Sequence, residues 1–222
     1  MTLLVAVAFA IVVALVLGTA MWFGRYLLLR QHTNVLAQQL TAASEYAGHR
    51  LVFRPPEPTD RHFYREMAND HTAASANGWG PSEVSNVEAK FDDPDKFVLL
   101  QQSELVAVEA KSGAPVATLT FSSSPLDREG ARSIGVQVHP DWRGRGYGRD
   151  AMAGAIIYQQ VDDGPIHVGT RTNNVGMRKI MAQLGYEPMD TTTAYVAPNG
   201  QSYPALWYSC GVDTHPPNPA SG

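Results

Sequence analysis

The sequence predicts an α/β domain of the α+β kind. A sheet of about six to seven strands is flanked by helices and carried behind an N-terminal transmembrane helix. Three observations carry that expectation. Runs of alternating β-branched and aromatic residues recur seven times between Leu51 and Ser209, interleaved with stretches of helical periodicity. One such run, Ser133 to Val138, passes through a turn rich in glycine and arginine straight into a helical pattern. Leu3 to Phe23 is 21 residues without a charge.

That N-terminal run, rich in Leu, Val, Ile and Ala, reaches about 31 Å as a helix, enough for a hydrocarbon core of roughly 30 Å. A cleavable signal peptide with Gly18-Thr-Ala20 as its small-residue site is the alternative. No basic residue precedes the run, however, and it exceeds the usual ~7–15 residues. Arg25 and Arg30 follow it, so the positive-inside tendency puts the rest of the chain in the cytoplasm. Trp22, Phe23 and Tyr26 would form the interfacial aromatic belt. Residues 1–24 are thus read as a single-pass anchor in the cell membrane. Residues 25–49 keep good helix formers up to Gly48 and are read as a juxtamembrane helix or linker.

Residues 50–210 carry the domain. Leu51 to Arg54 reads as its first strand, broken by Pro55, Pro56 and Pro58. Thr59 or Asp60 caps a helix to about Asn69. His71 to Pro81 is small and polar and reads as a loop that exposes Trp79. A second helix, Ser82 to Phe91, ends at the Asp92 to Asp95 run. Leu105 to Ala110, Pro115 to Ser122 and Arg132 to Val138 are strands, joined at Ser112-Gly113 and by a longer turn from Pro125 to Gly130. After the Gly/Arg turn, Met152, Ile156 and Tyr158 to Val161 fall at helical spacing, so a helix begins near Gly146 or Tyr147. Ile166 to Thr170 is a strand and Asn174 opens a helix. Late strands near Ala194 to Ala197 and Tyr203 to Ser209 flank a hairpin signal at Asn199-Gly200. The proline-containing tail, residues 211–222, reads as disordered.

A formal net charge of -4 is too mild to argue for a nucleic-acid partner. A single cysteine, Cys210, excludes an internal disulfide and reads as a core residue. The seven histidines show no ligand spacing, so no metal is expected.

The turn itself, His139 to Gly148, alternates Gly144, Gly146 and Gly148 with Arg143, Arg145 and Tyr147. Glycines let a backbone approach a ligand closely, and the N–H groups of a helix's first turn attract an anion. Arginines add bidentate phosphate contacts. Strand, turn and helix together suggest a pyrophosphate cradle. A nucleotide P-loop would end in Gly-Lys-Ser/Thr, but Gly148 is followed by Arg149-Asp150. A dinucleotide fingerprint would open directly after the strand. What fits is R-x-x-G-x-G, filled by Arg143, Gly146 and Gly148. A second motif follows, in which Asn174 precedes Leu184-Gly-Tyr186 with Gly185 eleven residues on.

Together these motifs resemble the GNAT superfamily of N-acetyltransferases over about residues 50 to 209. The resemblance is closest to the branch that contains ribosomal-protein alanine acetyltransferases. In that branch the first strand ends in Arg-Pro, as Arg54-Pro55 does here, and a small-residue run follows the Gly-rich loop, as Arg149 to Met152 does. The resemblance implies a mixed central sheet and acetyl-CoA as cosubstrate. Val136, Gln137 and Val138 would offer backbone groups to the pantetheine arm. Arg143, Gly144, Arg145, Gly146, Tyr147 and Gly148 would hold the pyrophosphate. Asn174 would contact the pantetheine end or order the site, besides capping its helix.

Acetyl transfer to an amine needs a proton acceptor, an oxyanion donor and a protonated leaving thiol. Here the sequence departs from the pattern. Many family members carry a Tyr seven residues after the Asn, where Met181 stands, and the related branch often has a Glu at the position of Ser133. His139 is the nearby group with an ordinary pKa close to neutral, so His139 and Asn174 are the expected catalytic residues, with an ordinary loop histidine as the alternative for the first. The expected function is a membrane-tethered N-acetyltransferase acting on a primary amine. A binding module that has lost catalysis, or a transferase of a bulkier acyl group, stays open.

Overall fold

The computed structural model describes residues 18–25, 27–28, 31, 35, 38, 50–77, 81–126, 131–160, 166–197 and 200–210. Residues 18–25 and the isolated positions to 38 are helical. The rest of the predicted anchor and stalk lies outside the described residues, as does the predicted tail. No helix among the described residues is long and apolar enough to cross a membrane.

From residue 50 the order is β1 (Leu51–Arg54), a 3₁₀ turn (Pro58–Asp60), α1 (Arg61–Ala68), α2 (His71–Asn77), α3 (Pro81–Asp92) and α4 (Pro94–Ser103). Then come β2 (Glu104–Glu109), β3 (Pro115–Ser123), β4 (Arg132–Val138), a 3₁₀ turn (Pro140–Trp142) and α5 (Tyr147–Gln160). The chain continues through β5 (Ile166–Arg171), α6 (Val175–Gln183), β6 (Tyr195–Val196), β7 (Ser202–Tyr203) and β8 (Ala205–Ser209). A six-stranded sheet runs β1-β2-β3-β4-β5-β8, with β6 and β7 in a separate hairpin. Every neighbouring pair is antiparallel except β4 and β5, so the sheet is mixed.

Three sequence expectations needed correction. His71 to Pro81, read as a loop, is helical over His71–Asn77, because Asp70 caps the backbone of Thr72 and ties the segment to the rest of the fold. The Asp92 to Asp95 run ends one helix but also begins another. Asp93 accepts from the N–H groups of Asp95 and Lys96, and Pro94 occupies the first turn, where a missing N–H costs nothing. The last strand is split, since Pro204 stands between β7 and β8.

Alternation along β2 explains how both faces are covered. Leu105 and Ala107 join a core with Leu119, Ile134, Met152, Ile156 and Val168, under α5. Val106 and Val108 face the other way, against Phe63, Met67 and Leu100 of the α1–α4 layer. The Arg-Pro end of β1 has a structural reason as well. Arg54 grips the buried Asp60 with both terminal nitrogens at 2.6 and 2.7 Å, while the Glu57 N–H donates to the same carboxylate. That fork ties the edge strand to the start of α1.

The site is opened by a break in pairing. β4 and β5 match only at Arg132↔Ile166 and Ser133↔His167, then pair no further. Beyond Ser133 the two strands part, with α5 packed at the end of β4 and α6 following β5.

Candidate active site

At the end of β4 the chain turns through His139 and the 3₁₀ turn, then reaches Gly144 at φ 72° and Gly146 at φ 88°. Only glycine adopts that conformation at no cost, which is why the turn alternates glycine with larger residues. A Cβ on Gly148 would stand 3.0 Å from Ile180 Cδ1 and 3.1 Å from Val138 Cγ2, so this glycine lets α5, α6 and β4 approach one another.

The loop is braced from below by residues that carry no sequence motif. The Arg50 guanidinium donates to the Arg145 carbonyl, lies 4.3 Å over the Tyr147 ring and comes within 3.8 Å of Asp150. Arg145 in turn lies 5.0 Å over Trp142, whose ring meets Tyr147 edge-on. Arg143 donates from Nε to the Val138 carbonyl at 3.1 Å and pairs through its other arm with Asp70. Burial works to raise the Asp70 carboxyl, but Arg143 and the N–H groups of Ala73 and Thr72 hold it below its ordinary value. A lowered folded-state pKa stabilises the fold above the unfolded value of about 3.9, and that contribution disappears as pH falls through the folded value. Asp70→Asn should therefore melt below wild type at pH 7, with the difference closing in melts taken near pH 3.

Two clefts meet across β4. The first, of about 760 Å³, is lined by Val136, Gln137, Val138, Arg143, Gly144, Arg145, Gly146, Tyr147, Gly148 and Asn174 together with α6. Those are the ten residues expected from the sequence to meet the cofactor. The second, of about 540 Å³, lies on the α1–α4 side and includes Tyr64, Lys90, Glu104, Thr118, Thr120, Ser133, Arg171 and Tyr195. Val136, Gln137, Asn174 and Met177 line both. Asn174 caps α6 by accepting from the Met177 N–H at 3.1 Å, so one side chain starts the helix and stands at the junction.

The expected catalytic histidine lies elsewhere. His139 lines neither cleft. It is buried, accepts from the Asp141 N–H at 3.3 Å, stacks on Phe63 and faces Glu66 at 3.3 Å. Met181 is fully buried in the core under α5 and also lines neither cleft. Ser133 lines the second. Cys210 is a core residue whose thiol burial pushes up to about 12, so it is no nucleophile near neutral pH. Among the described residues no group of three His, Cys, Asp or Glu could hold a metal. The residues missed were Arg50, Asp70, Tyr64 and Glu104. The one signal for Glu104 is a charged residue opening an otherwise apolar run.

The family model described as "Acetyltransferase (GNAT) domain" matches residues 50–187, well over half of the chain. The chain belongs to the GNAT acetyltransferase family. This GNAT domain is similar in fold to the acetyltransferase from Bacillus anthracis, with a TM-score of 0.60 at 14% identity, covering 72% of this chain and 94% of that one. It is also similar to yncA from Salmonella typhimurium, solved with its cofactor acetyl-CoA, with a TM-score of 0.52 at 17% identity, covering 78% and 100%. RimL, an α-N-acetyltransferase of a ribosomal protein solved with coenzyme A, gives 0.55 at 15% identity, covering 72% and 92%. No curated protein matches the GNAT sequence. Both clefts reach β4 at Val136 and Gln137, beyond its pairing with β5.

Proposed function

We propose that this GNAT domain transfers an acetyl group from acetyl-CoA to a primary amine, with the cosubstrate in the first cleft and the acceptor in the second. The observation that carries the reading is the meeting of the two clefts at Val136, Gln137, Asn174 and Met177. A thioester entering from the loop side and an amine entering from the helical side reach the same backbone stretch of β4. Positive-φ glycines and the first turn of the 14-residue α5 present N–H groups to a pyrophosphate, with Arg143, Arg145 and Arg149 on the same wall. β4 beyond Ser133, unpaired with β5, has backbone groups for the pantetheine amides. Holding the two reactants in line supplies roughly 7–11 kcal/mol of such a reaction, so transfer does not depend on a tyrosine at position 181.

The domain works at the cytoplasmic face of the cell membrane in this reading, tethered by residues 1–24. Its support is the uncharged run Leu3 to Phe23 with Arg25 and Arg30 behind it. Full-length protein should resist carbonate extraction from membranes, bind acetyl-CoA by calorimetry, and release free thiol when given pools of peptides, lysine and polyamines. A mature N-terminus near Met21 would replace the anchor by a cleaved signal. Binding without thiol release from any amine would leave a binding module in place of an enzyme.

A further inference from the structure

We propose that Glu104 takes the proton of the acceptor amine, acting through water above Thr120 and Gly135. The inference rests on the acetyl-transfer reading above. Among the described residues lining the second cleft, Glu104 is the only carboxylate and there is no histidine. The cleft's other titratable side chains, Tyr64, Lys90, Arg171 and Tyr195, ordinarily titrate well above neutrality. His139, the acid–base residue expected from the sequence, stands outside both clefts.

Register places Glu104 relative to the junction. Glu104 on β2 lies opposite Thr120 on β3, and Thr120 lies opposite Gly135 on β4, one residue before the junction at Val136. All of these line the same cleft. Two strand spacings amount to about 10 Å, too far for direct contact with an amine at the junction and within reach through one or two waters. Gly135 keeps that path open, since a Cβ there would meet only Thr120 Cβ, at 3.9 Å. Thr118 and Thr120 supply hydroxyls along it, the polar partners an ordered water needs.

The surroundings of Glu104 suit the task. Its side chain is 14% exposed. Tyr64 of α1 donates its hydroxyl to Oε2 at 3.0 Å, and Lys90 of α3 stands 3.7 Å from Oε1. Burial raises the carboxyl above its ordinary value, against the opposing effects of Lys90 and Tyr64. A carboxylate moved toward neutrality is a better proton acceptor at working pH.

The step balances without a further reactant. A proton passes from the ammonium to Glu104, and the freed nitrogen attacks the thioester carbonyl carbon. The C–N bond forms and the C–S bond breaks. The second nitrogen proton goes to the departing thiolate, and Glu104 returns its own proton to solvent.

The test compares full-length wild type with Glu104→Gln, Glu104→Asp and Lys90→Gln, using whichever amine releases thiol in the pool assay. Glu104→Gln keeps an acceptor for Tyr64 and leaves the first cleft untouched, so acetyl-CoA affinity and melting temperature should hold. Its kcat should fall by about 10²–10⁴-fold, and the acidic limb of kcat/KM should vanish. Glu104→Asp should retain that limb with reduced turnover. Lys90→Gln should move the limb to higher pH, because it removes a charge that holds the carboxyl down. Wild-type kcat and an unchanged limb in Glu104→Gln would overturn the assignment, as would a rise in KM alone. If wild type binds acetyl-CoA yet acetylates no amine, the acetyl-transfer reading fails and takes this one with it.

Discussion

Gly146→Asp is expected to abolish acetyl-CoA binding while the domain stays folded. Gly146 sits at φ 88°, where an L-residue costs about 1–2 kcal/mol. No backbone stands in the way, because the nearest atom to a new Cβ is the Arg50 side-chain nitrogen at 4.0 Å. Arg50 is also positioned to pair with the new carboxylate, which favours survival of the fold. The carboxylate would lie where N–H groups face the pyrophosphate. Charge-assisted hydrogen bonds are worth about 1.5–3 kcal/mol each, so losing two costs at least about 10²-fold in affinity. Gly146→Ala separates the causes, since it carries the backbone strain without the charge. Calorimetry should show the alanine variant binding more weakly than wild type and the aspartate variant giving no signal. Equal affinity in all three would remove the loop from the cosubstrate site.

Trp207→Ala should be among the most destabilising single changes in the domain. Trp207 is 3% exposed on β8 and lies directly opposite Gly169 of β5. Its ring lies where a Gly169 Cβ would be, with three ring atoms 2.4 to 2.7 Å from that position. Its indole N–H donates to the Thr193 carbonyl at 2.8 Å and so anchors the chain leading into the β6–β7 hairpin. Removing it leaves a cavity and an unpaired carbonyl, at a cost of about 3–5 kcal/mol. For a domain of this size that lowers the melting temperature by roughly 6–20 °C. The converse change, Gly169→Ala, should destabilise by overpacking, typically by about 1–3 kcal/mol. Thermal melts of the two variants check both. A melting temperature within 3 °C of wild type for Trp207→Ala would show that the ring is not part of the packed core.

Local signals were read correctly where the physics is local. The turn from Arg143 to Gly148 announces a helix start near Tyr147 through residue type alone, and Asn174 announces a helix cap in the same way. Strand periodicity located β1, β3, β4 and β5 to within a residue at either end, because burial of alternate side chains is written into alternate positions. Helix α2 was missed for the opposite reason, whereas α4 starts at a local cap, Asp93 with Pro94, that went unread. Residues such as His71, Thr72 and Ser75 have little helical preference, and α2 begins where Asp70 and Arg143 meet across 73 residues of chain.

By itself, then, the sequence determined the family, the glycine–arginine loop between strand and helix, the strand order along the chain and the helix that Asn174 begins. These depend on conformations that a few neighbouring residues impose. Only the tertiary structure decided which side chains face the clefts. His139 is the right residue type in the right place in the chain, yet its ring packs against Phe63 because β4 delivers it to the α1 side. Glu104 looks like a surface charge at the end of a helix, yet pairing of β2 with β3 carries it to the wall of the second cleft. Arg50 and Asp70 lie far from the motif in sequence and brace it at Arg145 and Arg143 respectively. A side chain's chemistry belongs to its own residue; its exposure, partners and protonation belong to whatever the sheet brings beside it.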